Sequence, residues 1–169
     1  NHLLQFSKMS SIYVHNQLNI KKPKIALLNI GSEQGKGNEL AKESYKLMQN
    51  KLKGFIGNIE SRYLFDGKAD IVICDGFTGN IVLKLVEGMA KYNLGLISSK
   101  LKLDNNQKLD DINRMYDYEE YGATPILGIK GLVLKAHGSS SKLSIKNALK
   151  AAQKLYKVDL INKLENLSL

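Results

Sequence analysis

Ala69–Gly88 reads ADIVICDGFTGNIVLKLVEG, and the fold class follows from where this stretch changes character. Ile71-Val72-Ile73-Cys74 is an unbroken apolar run, the pattern of a strand covered on both faces of a parallel sheet. It stops at Asp75-Gly76. A helical pattern resumes after Thr78-Gly79-Asn80, with Val82, Leu85, Val86 and Met89 on one side. Strand, polar glycine turn and helix start in succession mark the place where open α/β sheets collect ligands. Strand ends aim side chains into the crevice there, and the first amides of the helix are expected to offer unpaired N–H groups to an anion.

Moving outward, His2–Leu18 reads as a helix with Leu3, Phe6, Met9, Tyr13 and Leu18 on one stripe, closed off by Lys21-Lys22-Pro23. Lys24–Asn29 is a second buried strand, followed by the loop Gly31-Ser32-Glu33-Gln34-Gly35-Lys36-Gly37. Asn38 caps a helix reaching Asn50, Phe55–Asn58 is a short strand, and Ser61–Gly67 a short turn or helix. Lys91–Tyr121 is helical and mixed in polarity, broken at Leu103-Asp104-Asn105-Asn106, and reads as a projecting helical hairpin. Tyr121–Pro125 reads as a turn and Leu132–Ala136 as another strand. A last helix runs from about Lys142 past Tyr156 with its lysines on a solvated face. Strand, loop and helix recurring in that order predict an α/β fold, a mostly parallel sheet with helices on both faces.

With 169 residues, 43% hydrophobic and 24% charged, the chain can bury a real core. Its 25 Lys+Arg against 16 Asp+Glu give a net charge of +9, which favours an acidic protein, a phosphate-bearing substrate or anionic lipid. Nucleic acid is not expected: lysines are scattered, aromatics are 7%, and no reading-helix, zinc-finger or stacking pattern occurs. The single cysteine excludes an internal disulfide and suits a reducing compartment. No signal peptide or membrane-spanning apolar run is present, so a cytoplasmic protein is expected, at most peripheral on the inner face of the cell membrane. Asn1 stands in place of an initiating Met, and Leu3-Leu4-Gln5-Phe6 is already helical in character, so the sequence reads as a piece of a longer chain.

Three strand ends carry clusters of small and polar residues: Asn29-Ile30-Gly31, Asp75–Asn80 and His137-Gly138-Ser139-Ser140. One such cluster is ordinary turn chemistry; three on one sheet edge point to a site. Lys36 lies between Gly35 and Gly37, where backbone can approach a ligand and an ammonium can meet phosphate. This is neither a Walker loop, since Gly37 follows the lysine and Ile30 stands where glycine should, nor a dinucleotide fingerprint. Cys74 sits inside an apolar run and reads as a core thiol. His2, His15 and His137 show no metal spacing, and no G-x-S-x-G elbow is present. No metal and no cofactor is expected. Without a convincing covalent nucleophile, an enzyme built on this chain needs a substrate that brings its own.

Leu27–Gly31, Lys36–Leu40, Phe55–Glu60, Asp75–Asn80 and Lys135–Ser140 resemble, in order and across nearly the whole chain, the motifs of the bacterial phosphate acyltransferase family PlsX. The resemblance implies conversion of acyl-[acyl-carrier-protein] and inorganic phosphate to acyl phosphate and free carrier protein, the first step toward phosphatidic acid. It implies a fold like the isocitrate and isopropylmalate dehydrogenases, a homodimer, peripheral membrane association and hand-off to a glycerol-3-phosphate acyltransferase. Carried over to this sequence, it makes Lys36 the cation that orients phosphate or meets the oxyanion, and Asn80 an amide donor to that oxygen. Asn29, Gly31, Asn38, Asp75, Gly76, Thr78, Gly79, His137, Gly138 and Ser139 become substrate-binding residues, with Asp75 and Thr78 shaping the turn. The chain corresponds to the family's C-terminal portion and begins where an N-terminal half should join. Its projection is shorter and more polar than the family's, and Ala123-Thr124-Pro125 stands where Gly-Ala-Pro is expected. The alternatives are a phosphate acetyl- or butyryltransferase using a short acyl-coenzyme A and a non-catalytic binding remnant of the fold. A metal- and nicotinamide-dependent dehydrogenase is disfavoured by the lack of an acidic metal cluster.

Overall fold

The structure is a computed structural model that describes residues 1–101, 112 and 122–167. It is α/β and divides into two units, Asn1–Thr78 with Val158–Leu169, and Gly79–Lys157. The first holds α1 (His2–Leu18), β1 (Ile25–Asn29), α2 (Glu39–Lys51), β2 (Phe55–Glu60) and β3 (Ile71–Ile73). Most of α3 (Gly76–Leu101), together with β4 (Ala123–Pro125), β5 (Leu134–Ala136) and α4 (Lys142–Lys157), forms the second, and α5 (Leu160–Glu165) returns to the first.

In the first unit the strands pair in the order β2-β1-β3, all parallel, as the apolar runs predict. Leu27 pairs with Asn58 on one side and Ile73 on the other, so the three strands end on a common edge. Ile25 and Leu27, alternate residues on one face, join Ile71 and Ile73, Leu3, Leu4 and Val14 of α1, and Met48 of α2 in one cluster. Each such side chain contributes about 1.5–3 kcal/mol of burial free energy. Tyr45 meets Phe55 edge to face, centroids 5.2 Å apart, and ties α2 to β2.

Local chemistry explains the helix ends. Asn38 Oδ1 accepts from Ala41 N at 2.9 Å and starts α2. α1 stops at Leu18 because Asn19 turns left-handed, φ 57°, three residues before the Lys-Pro signal takes effect. The predicted stripe on α1 is half right: Leu3 and Met9 are buried, whereas Phe6 and Leu18 are exposed, their places taken by Leu4, Ser7 and Val14. The small Ser7 fits because its hydroxyl donates back to Leu3 O at 2.7 Å.

Two expectations change. Residues 76–80 are not a turn but the opening of α3, because Asp75 caps the helix and overrides the glycine signal. On α3, Val82 and Val86 are half-buried while Leu85 and Met89 stand exposed. Ala123–Pro125 is likewise a strand and not a turn, paired antiparallel with β5 as a separate two-stranded sheet. Pro125 is tolerated at the end of so short a ladder. α4 packs on this hairpin and carries Lys142, Lys146, Lys150 and Lys154 on its exposed face. Of the hairpin expected over 91–121, Lys91–Leu101 forms the end of α3, and the rest, apart from Ile112, lies outside the described residues. Among the described residues no helix is long and apolar enough to cross a membrane.

Candidate functional site

The common strand edge of the first unit gathers the loop after β1 and the capped start of α3. Asn29 closes that loop from both sides: its Nδ2 donates to Lys36 O at 2.9 Å, and its Oδ1 accepts from Ile30 N at 2.8 Å. Gly37 follows with φ 89°, and a methyl group there would run into Asn29 Oδ1 and approach Ala41 Cβ at 3.0 Å. The glycine is required both by conformation and by the closeness of Asn29. Asn58, within β2, donates from Nδ2 to Glu33 O at 2.8 Å, and Lys36 N donates to the same carbonyl at 3.1 Å. The loop is thus pinned at three points, and its pinned backbone presents the Lys36 side chain.

The ammonium itself is only loosely engaged. Lys36 Nζ stands 3.9 Å from Glu33 Oε1, with the two side chains 52% and 66% exposed. An exposed pair at that separation is worth little and yields readily to a stronger anion. Gly31 lies under the Lys36 stem: a Cβ there would sit 3.0 Å from Lys36 Cγ and 2.8 Å from Glu33 Oε2.

Beyond the end of β3, Asp75 accepts from Thr78 N at 2.9 Å and from Thr78 Oγ1 at 2.6 Å. These bonds, with a further contribution from the Phe77 amide, hold its carboxyl below the usual carboxylate range. The start of α3 therefore already holds an anion, its own aspartate, where the sequence led us to expect unpaired amides. Because the carboxylate is favoured by folding, Asp75 stabilises the protein above its ordinary pKa of 3.8, and that stability is lost as pH falls through the lowered value. Asp75→Ala should cost about 1 kcal/mol at neutral pH, the usual value of such a cap, with the gap to the parent closing in acid. Urea melts across the pH range check this; a gap independent of pH would contradict it.

Cys74, beside Asp75, is half-buried and unpaired in any disulfide. Burial, then the Asp75 charge, push its thiol up, so it is a poor nucleophile.

The second unit carries Gly79, Asn80, His137, Gly138 and Ser139. Asn80 is exposed in the opening turns of α3. The cluster after β5 is a built turn: Ser140 N and Oγ both donate to His137 O, at 3.1 and 2.7 Å. Ser139 N donates to His137 Nδ1 at 3.2 Å, and Ser139 Oγ lies 2.7 Å from the same nitrogen. Ser141 Oγ accepts from Ser144 N at 3.3 Å at the start of α4. The structure thus brings Asn29, Gly31, Lys36, Asn38, Asp75, Gly76 and Thr78 to one edge of the first unit, and places the other five in the second. The strand expected over Phe55–Asn58 runs on to Glu60, and the supporting part of Asn58, a polar amide within it, was missed by sequence reasoning. Among the described residues no group of three or more His, Cys, Asp or Glu could hold a metal ion.

A family model described as "Fatty acid synthesis protein" matches residues 1–163. A protein of Dictyoglomus thermophilum named phosphate acyltransferase is 45% identical over 178 aligned positions, covering 99% of this chain and 53% of the relative. Proteins of the same name from Clostridium perfringens and Clostridium acetobutylicum are 43% and 41% identical, each covering 96% of this chain and 51% and 52% of the relative. The chain spans about half the length of these relatives.

Proposed function

The chain belongs to the fatty acid synthesis protein family, and from that premise we propose that it supplies the phosphate-handling part of an acyltransferase acting on acyl-[acyl-carrier-protein]. A phosphate oxygen attacks the thioester carbonyl carbon, the tetrahedral oxyanion collapses, the C–S bond breaks, and the carrier's thiolate leaves to take up a proton. The products are acyl phosphate and free carrier protein. The observation that carries this reading is the pinned Asn29–Gly37 loop, which holds a solvent-facing ammonium at a strand edge with no more than a loose carboxylate beside it.

In this reading phosphate displaces Glu33 from the Lys36 ammonium, which steadies charge during attack, and Asn80 donates its amide to the developing oxyanion. Phosphate is the nucleophile, which agrees with the raised thiol of Cys74. The polypeptide contributes proximity and fixed charge. His137 and Ser139 are binding contacts. The product is a mixed anhydride and so an activated acyl donor; by the family resemblance its consumer is a second acyltransferase that delivers the acyl group to glycerol 3-phosphate, and we include a homodimer, peripheral at the membrane, in the same proposal.

The test is to give full-length protein a long-chain acyl carrier protein with and without phosphate, and the matching coenzyme A thioesters in parallel. Phosphate-dependent acyl phosphate from the carrier thioester is expected. Preference for acetyl- or butyryl-coenzyme A would reassign the substrate, and no phosphorolysis from any thioester would leave a binding remnant.

A further inference from the structure

An open hollow of about 480 Å³ lies between α1 and α5 in the first unit, and among the described residues no Asp or Glu lines it. Ser11, His15 and Asn16 come to it from α1, four and five residues apart and so on one face of the helix. Lys21 enters from the segment between α1 and β1, and Lys163 and Asn166 from the end of α5. Lys163 Nζ donates to Asn16 Oδ1 at 2.6 Å, and Asn16 is itself held by the bond from its Nδ2 to Ile12 O at 2.7 Å. A neutral amide thus fixes this ammonium, which keeps its whole charge and has two further N–H donors. Among the described residues Lys21 forms no ion pair and the His15 ring no hydrogen bond. Two carboxylates close by in the chain are engaged elsewhere. Asp159 accepts from Asn162 Nδ2 with both oxygens, at 2.8 and 3.0 Å, and Asp70 accepts from Lys24 N, next to Pro23, at 2.7 Å. Two ammoniums and an imidazole therefore share one hollow that has no counter-charge in its wall.

We propose that this hollow binds a phosphate monoester. Two ammoniums match the two charges of the group, whereas a carboxylate or a phosphodiester would leave one of them unmatched. The imidazole, which carries an N–H in either neutral tautomer, and the Asn166 amide add donors for the remaining oxygen lone pairs. The volume exceeds what a bare phosphate fills, and leaves room for the esterified group against Ile12 and Pro23. Lys21 and Pro23 precede β1 and the lysine loop follows it, so the two places lie at opposite ends of that strand, roughly 16 Å of extended backbone apart. The hollow is thus separate from the site given to the reaction, and its assignment does not rest on the thioester chemistry. Neither Lys21 nor Lys163 stood out in the sequence, because the bond that joins the two sides of the hollow spans 147 residues.

The experiment uses full-length protein carrying Lys36→Ala, so that the lysine loop does not contribute, and titrates it by calorimetry with glycerol 2-phosphate and with inorganic phosphate. Flotation with phosphatidylcholine vesicles, with and without phosphatidic acid, tests a monoester carried on a lipid. Lys21→Gln, Lys163→Gln and His15→Gln are added in turn, with Lys46→Gln, an exposed lysine of α2, as a control of equal charge change. Lys21→Gln and Lys163→Gln should each weaken the monoester about fivefold or more, the worth of a charge-assisted hydrogen bond discounted for solvent exposure. His15→Gln should weaken it by less, and Lys46→Gln leave it unchanged. Lys21 has no ion pair to lose, so its variant tests the hollow without disturbing the fold. Lys21-dependent binding of glycerol 2-phosphate, or of phosphatidic acid vesicles alone, supports the site and identifies the source of the group. Binding of inorganic phosphate without either ester would overturn the assignment, and so would no binding at all or equal losses in Lys21→Gln and Lys46→Gln. These titrations read the same whether or not the parent protein phosphorolyses a thioester, so failure of one reading leaves the other standing.

Discussion

Lys36→Ala in the full-length protein is expected to reduce phosphorolysis about 10²-fold or more, the scale on which removal of one preorganised donor to a developing oxyanion acts. The fold should be untouched, because the bond that pins the loop runs from Asn29 Nδ2 to the Lys36 carbonyl and survives loss of the side chain. What disappears is a half-exposed ammonium whose neighbour, Glu33, is 3.9 Å away and then faces an incoming phosphate without a counter-charge. The loss should therefore appear in KM for phosphate as well as in kcat. Lys36→Arg restores the charge and not the reach, and should recover only part of the rate. Steady-state rates at varied phosphate, with melting curves to confirm folding, make the measurement. A folded Lys36→Ala protein with near-normal turnover would remove this lysine from the mechanism.

Gly122→Ala should cost about 2–5 kcal/mol of stability, the sum of a left-handed backbone penalty and overpacking. Gly122 is buried with φ 74° at the entry to β4. A Cβ there would fall on Ala148 N, 2.6 Å from Asn147 C and 2.7 Å from Ser144 O. These are backbone atoms of α4, so no side chain can swing aside; the helix itself must lift from the hairpin. Gly67 separates the two contributions. Its φ of 69° is equally left-handed but open space surrounds it, so Gly67→Ala should cost only the strain, about 1–2 kcal/mol. Denaturant unfolding of both variants supplies the comparison. Equal losses at the two positions would mean that α4 yields to a methyl group and that the hairpin is not tightly held.

How much of this was legible beforehand depended on whether one signal acted alone at a position. Ile71–Cys74 and Lys24–Asn29 read as buried parallel strands from their apolar continuity; the strands run Ile71–Ile73 and Ile25–Asn29, with Ile71, Ile73, Ile25 and Leu27 in the core and Cys74 half-buried just beyond. Asn38 read as a cap for the same reason, followed by Glu39 and a periodic helix. Asp75–Asn80 carries two opposed signals: glycines that suggest a turn, and an aspartate three residues before Thr78 that can cap. The cap prevailed, since its carboxylate satisfies the Thr78 amide and hydroxyl together. Pro125 suggested a turn, yet an edge position in a three-residue ladder asks little of its missing N–H. Phe6 and Leu18 were placed inside by periodicity, but Ser7 could be buried with its hydroxyl satisfied within the helix, and the packed face rotated toward it. The candidate site was legible as residue types at strand ends. The pinning of the lysine loop by Asn29 and Asn58 was not, because it depends on bonds across 7 and 25 residues.

The central claim is that phosphate attacks the thioester directly and no residue is ever acylated. Mixing full-length protein at substrate level with a long-chain acyl carrier protein, with phosphate withheld, tests it most directly, by following free carrier protein and the intact mass of the protein together. No release, no mass change, and prompt formation of acyl phosphate once phosphate is added are expected. Release of carrier protein equal to the amount of enzyme, with the acyl mass appearing on the polypeptide, would contradict it.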